Sequence, residues 1–113
     1  MLFTSLPIGE KEYKLKLTTH AVVELERKLK TNPVNVLMRM AATNEFPSLE
    51  TVMTIFHASL QAYNHGISVE EAYEIYDAYL ETGKNMADLI YVLVQVFQNS
   101  GLIPKVEDEG KNA

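Results

Sequence analysis

The sequence predicts a mainly α domain in which an N-terminal β-hairpin is followed by a compact bundle of about five helices. Three observations predict it. From Glu12 to Leu17 the chain alternates polar with apolar residues, whereas from Thr18 onward apolar residues recur at three- and four-residue spacing. The helical stretches open on good capping residues: Thr18, Asn32, Ser48, Ser68 and Asn85. Three of them then run into a glycine, at Gly66, Gly83 and Gly101, the residue that most often ends a helix.

Residues 3–8 and 12–17 flank Gly9-Glu10, and the alternation of Tyr13, Leu15 and Leu17 with polar residues suits a half-buried strand. Pro7 has no amide hydrogen, so its strand is expected at an edge or partly irregular. If Phe3 and Leu6 cover a helical core the hairpin is a lid; otherwise it is a free edge for a partner. Thr18 or Thr19 caps a first helix running to Leu29, with Val22, Leu25 and Leu29 on one stripe. Asn32 caps a second, where Pro33 takes the first helical position at no cost in hydrogen bonds; Val34, Leu37, Met38 and Ala41 form its buried face. Ser48 opens a third helix, with Glu50 favourably placed against the helix dipole, and this helix is expected to run to about Asn64. Ser68 and Glu71 have capping-box spacing and start a fourth that ends near Thr82. The fifth begins after Asn85. Val92, Val94 and Val96 also suit a strand there, but the length of the segment and its clean bounds favour helix.

Residues 1–103 are thus expected to form one domain, and 104–113 a disordered acidic tail. A chain of 113 residues buries roughly 65 per cent of the surface its unfolded form exposes, enough to fold unaided. Cysteine is absent, which removes disulfides and thiolate metal sites and favours a reducing compartment. The opening residues lack a basic leader with an apolar stretch of secretory length, and no apolar run approaches the ~20 residues of a membrane span. A cytoplasmic protein is expected.

The net charge is −5. Residues 1–45 carry 7 basic and 5 acidic side chains; residues 46–113 carry 3 and 10. The acidic part would repel phosphate backbones, and the basic residues of the first part are interleaved with Glu10, Glu12, Glu24 and Glu26. That argues against nucleic acid as a partner.

Catalytic chemistry finds little footing. His20, His57 and His65 are the only histidines, and only His20 with Glu24 has helical metal-pair spacing, a pairing commoner as surface decoration. No nucleophile motif occurs, and the 5 glycines are too scattered to cradle a phosphate. Glu70, Glu71, Glu74, Asp77 and Glu81 line one helix with no evident neighbour to split their pKa values, as a solvated face would. No catalytic residue, cofactor or metal is expected.

Two features point to binding. Tyr73, Tyr76 and Tyr79 recur every three residues beside the acidic stripe, and tyrosines give large contact area at low entropic cost. The same stripe, with Val69, Ala72 and Leu80, is also what a bundle helix would bury. The second feature is excess apolar surface. Met86 to Ser100 is apolar on almost every side, and once Leu89, Ile90, Leu93, Val96 and Phe97 are assigned to the core, Tyr91, Val92 and Val94 remain. Hiding all of it would ordinarily take a second chain. Tyr73, Tyr76, Tyr79, Tyr91, Val92 and Val94 are therefore the candidate partner-binding residues.

The chain resembles the small tail assembly chaperones of long-tailed, siphovirus-type bacteriophages and prophages. The likeness runs from about Tyr13 to Ile103 and rests on four pieces in order: Leu15–Leu29 after a hairpin; Pro47-Ser-Leu-Glu50 leading to Ala58-Ser-Leu-Gln61; Ser68-Val-Glu-Glu-Ala72 with Tyr79-Leu-Glu-Thr-Gly83; and Val94–Gly101. The resemblance implies a non-enzymatic, helical homo-oligomer of the host bacterial cytoplasm. It would coat the tape measure protein, help recruit tail tube subunits and leave before the virion is finished. It implies neither a membrane nor a nucleic acid partner. In that family a ribosomal frameshift often yields a longer product, and Gly110-Lys111-Asn112 can be encoded with the slippery heptamer A AAA AAC. The alternative is a small helical regulatory protein that binds another protein, or nucleic acid through Lys11, Lys14, Lys16, Arg27, Lys28 and Lys30.

Overall fold

The computed structural model describes residues 3–104, apart from the side chain of Ala41. The expected tail beyond Pro104 lies outside the described residues. Two strands, β1 (Thr4–Ile8) and β2 (Lys11–Leu15), precede five helices: α1 (Thr19–Leu29), α2 (Pro33–Thr43), α3 (Leu49–Leu60), α4 (Val69–Glu81) and α5 (Met86–Asn99). This is the predicted architecture, a two-stranded antiparallel hairpin leading into five helices.

Gly9 turns the hairpin with φ +61°, and Glu10 follows with negative φ, the pattern of a type II′ turn. Ile8 pairs with Lys11, which sets the register and places Pro7 opposite Glu12. In an antiparallel ladder closed by a two-residue turn, that second pair is a non-hydrogen-bonded one. The missing amide hydrogen of Pro7 therefore points outward and costs no ladder bond. Thr4, Leu6 and Ile8 face inward while Ser5 and Pro7 face out, and Leu15 and Leu17 join the inner set. The hairpin is a lid. Three hydrogen bonds hold it down: the Lys16 amide to the Ser59 carbonyl (2.9 Å), the Leu17 amide to Ser100 Oγ (3.0 Å), and Asn99 Nδ2 to Thr4 Oγ1 (2.8 Å).

The helix starts follow from their caps. Thr18 Oγ1 accepts from the Ala21 amide, Asn32 Oδ1 from Val34, and Ser48 Oγ from Thr51. Ser68 and Glu71 form a reciprocal capping box, and so do Asn85 and Asp88. At its other end α5 closes when Gly101 adopts φ +86° and the Leu102 amide bonds back to the Phe97 carbonyl at 2.9 Å, the signature of a Schellman motif.

Two expectations are corrected. The third helix stops at Leu60 instead of continuing to about Asn64. The ladder changes at Gln61: its amide turns to the Ala58 carbonyl, and its side-chain Nε2 donates to the His57 carbonyl and to that of Ile67. On α2, Leu37 is buried and Val34, Val36 and Met40 are partly so, but Met38 is exposed. The helix is rotated so that Met40 supplies the apolar contact expected of Met38.

The core is one cluster in which Phe56 and Phe97 are fully buried among Leu15, Ile55, Leu60, Leu89 and Leu93. Helix α5 packs against β1, α2 and α3, and so occupies the middle of the fold. That position accounts for much of its apolar character, though Tyr91 stays open to solvent. Val92 and Val94 are half-buried against the core, and Ile55 of α3 is fully buried. Among the described residues no buried side-chain nitrogen or oxygen lacks a hydrogen-bond partner.

Candidate functional site

The six candidate residues do not form one surface. Tyr76 and Tyr79 are 7 % and 4 % exposed, so their rings belong mostly to the core, which corrects their assignment to a solvent-facing contact stripe. Tyr73, on the outer side of α4, is 45 % exposed, and Tyr91 on α5 is 69 % exposed. Val92 and Val94 are packed as described above.

Tyr73 and Tyr76 nevertheless share one feature. Helices α3 and α4 run antiparallel, which brings Leu49 at the start of α3 beside Leu80 at the end of α4. Between them lies a groove of about 440 Å³ lined by Leu49, Met53, Tyr73, Tyr76 and Leu80, with Glu50 and Asp77 on its rim. Met53 and the Tyr76 ring make its floor; Leu49, Tyr73 and Leu80 stand open to solvent. Val69, one turn before Tyr73 on the same helix, is also exposed. The outward course of α4 carries five carboxylates and no basic residue. The groove is therefore apolar inside, with the carboxylates of Glu50 and Asp77 at its edge.

Burial raises the pKa of the Tyr76 phenol, and the Asp77 carboxylate raises it further. Burial does the same for Tyr79, with smaller contributions from Asp88 and Tyr76. Both phenols stay neutral at physiological pH, and the negative potential of this face comes from carboxylates alone.

Leu80 belongs to the stripe that patterning gives a buried helix face, yet it is exposed, and so is Leu49. Leu49 opens α3 and Leu80 lies in the last turn of α4, where a stripe runs past the end of the neighbour that would cover it, and that placement was the available signal. The histidines also gather in a way their spacing conceals: His20, His57 and His65 all line one hollow between α1 and α3. Among the described residues no group of three or more His, Asp or Glu could hold a metal ion.

The basic residues of the first part are spread over separate environments. The Lys14 ammonium lies 4.9 Å from the Phe3 ring centroid and 5.9 Å from that of Tyr63, above an edge-to-face pair of the two rings. Arg27 pairs with Glu24 at 3.1 Å, and Lys11 shares a hollow with Glu10, Glu71 and Glu74. Among the described residues no helix is long and apolar enough to cross a membrane.

Fold and site together define a small helical domain with a hairpin lid and one open apolar groove. Residues 3–112 match the model of a family described as "Family of unknown function (DUF6096)", and the chain belongs to that family. No curated protein and no solved structure matches it.

Proposed function

We propose that this chain is a non-enzymatic assembly chaperone of the phage-tail type. It acts in the host bacterial cytoplasm, binds the tape measure protein along the α3/α4 groove, helps recruit tail tube subunits and self-associates while doing so. The observation that carries the proposal is the groove itself: Leu49, Tyr73 and Leu80 remain in solvent above an apolar floor although the rest of the core is closed. Large apolar side chains clustered at an exposed cleft mark a contact surface. The ordered likeness of the four sequence pieces supplies the identity of the client.

The groove suits an amphipathic helix laid along it, with apolar anchors at three- and four-residue spacing and basic residues flanking them to meet Glu50, Asp77 and the acids of α4. The test is co-expression with the product of a neighbouring long coiled-coil reading frame. The expected result is a complex that survives gel filtration and is lost in Leu49→Asp and Tyr73→Ala variants that still melt as the parent does. A complex indifferent to both substitutions, or no complex with a folded chain, would overturn the proposal.

A further inference from the structure

A second site, on a face the groove does not reach, is built from different chemistry. All three histidines of the chain, His20, His57 and His65, line one hollow of about 390 Å³ together with Lys16 and Lys28. Its apolar wall is Ala21 and Leu25 on α1 facing Ala58 near the end of α3 and Ala62 just beyond it. Three of those four are alanines, so the space exists because α1 and α3 approach through small side chains and leave a gap above Leu25. One carboxylate, Glu24, also lines the hollow, and it is engaged by Arg27 at 3.1 Å. Among the described residues neither Lys16 nor Lys28 has a carboxylate within 4.0 Å.

The walls are held in place. The Lys16 amide donates to the Ser59 carbonyl at 2.9 Å, which pins the end of the hairpin to α3. His57 Nε2 donates to the Ile67 carbonyl at 2.9 Å, so its ring is fixed against the loop that follows α3. The result is a preformed concavity with an apolar interior and a rim that carries excess positive charge, the arrangement that fixes a small ligand by its body and orients it by its head.

We propose that this hollow binds a small amphiphilic carboxylate, one whose apolar body is a ring system or short alkyl chain and whose single anionic head meets Lys16 and Lys28. At about 390 Å³ the hollow falls within the usual range of small-molecule pockets, about 300–1,000 Å³. Sign selects the acid over a neutral or cationic analogue. The site is independent of the α3/α4 groove and stands whether or not that groove holds a client.

The test uses naphthylacetate as probe and naphthylacetamide as its neutral counterpart, titrated into the full chain and followed by amide proton–nitrogen correlation spectra. The expected result is saturable shifts centred on Ala21, Ala58 and Ala62, with the amide binding about tenfold more weakly, the scale of losing one charge-assisted contact. A Lys16→Gln/Lys28→Gln double variant is expected to weaken the acid by about the same factor and to leave its melting unchanged, while Ala58→Leu fills the hollow and abolishes binding. Equal binding of acid and amide, shifts elsewhere on the molecule, or affinity unaffected by the lysine substitutions would overturn the proposal. So would binding confined to an acidic peptide, with none by the free acid.

Discussion

Asn99 and Thr4 are 95 residues apart in sequence and joined by a 2.8 Å hydrogen bond, the Asn99 Nδ2 donating to the buried Thr4 hydroxyl. With the Leu17 amide bonded to Ser100 next to it, the end of the central helix holds both strands of the hairpin. Removing the amide in Asn99→Ala should cost about 1–2 kcal/mol in denaturant unfolding, since it strips the partner from a buried polar atom. In a Thr4→Val background the same change should cost less than half as much, because no buried hydroxyl is then left waiting. Equal costs in the two backgrounds would show that the bond carries no coupling.

The capping box at the start of α4 offers a second measurement. Ser68 Oγ accepts from the Glu71 amide at 3.0 Å and Glu71 Oε1 accepts from the Ser68 amide at 2.8 Å. Ser68→Ala is expected to lower stability by about 1 kcal/mol, and Ser68→Gly by only a few tenths. A drop of several kcal/mol would mean that Ser68 has a role beyond its cap.

Groove and core residues should separate cleanly. Tyr73→Ala should leave stability within about 0.5 kcal/mol of the parent, as exposed substitutions do. Tyr76→Ala, which empties a nearly buried aromatic site, should cost roughly 3 kcal/mol, and Phe97→Ala as much or more. Thermal melts of the three variants check this, and loss of client binding in Tyr73→Ala with its melting unchanged is the outcome the proposed function requires.

Alkaline pH supplies a fourth check. The Tyr76 and Tyr79 pKa values are raised in the folded chain, so folding favours their neutral forms. Their contribution is complete below the ordinary tyrosine pKa of about 10 and declines as the pH climbs from there toward the folded values. Stability should therefore fall above about pH 10, together with a rise in tyrosinate absorbance, and the fall should be shallower in a Tyr76→Phe/Tyr79→Phe chain.

The elements were legible in the sequence because their determinants are local. Thr18, Asn32, Ser48, Ser68 and Asn85 each cap the helix they announced, and the two-residue turn at Gly9-Glu10 sets the register of the hairpin. What patterning could not supply was which element covers which. The apolar excess of α5 looked like an interface because periodicity describes a helix in isolation, and only the packing of β1, α2 and α3 around it shows a central helix. Tyr73 and Tyr76, three residues apart on one stripe, divide between surface and core for the same reason: Tyr76 forms the floor against Met53 of α3, while Tyr73 lies on the outer side of α4. The groove itself depends on Leu49 meeting Leu80, and the histidine-lined hollow on α1 meeting α3, which are contacts between distant segments that no local pattern encodes.

The bonds from Thr4 to Asn99 and from Leu17 to Ser100 also decide where an attachment can go. An attachment on the hairpin side starts where Ser59 meets the Lys16 amide, whereas the groove opens at Leu49, ten residues and about 15 Å back along α3. Loosening these bonds would free the hairpin at one end of α3 and leave the client's berth at the other untouched.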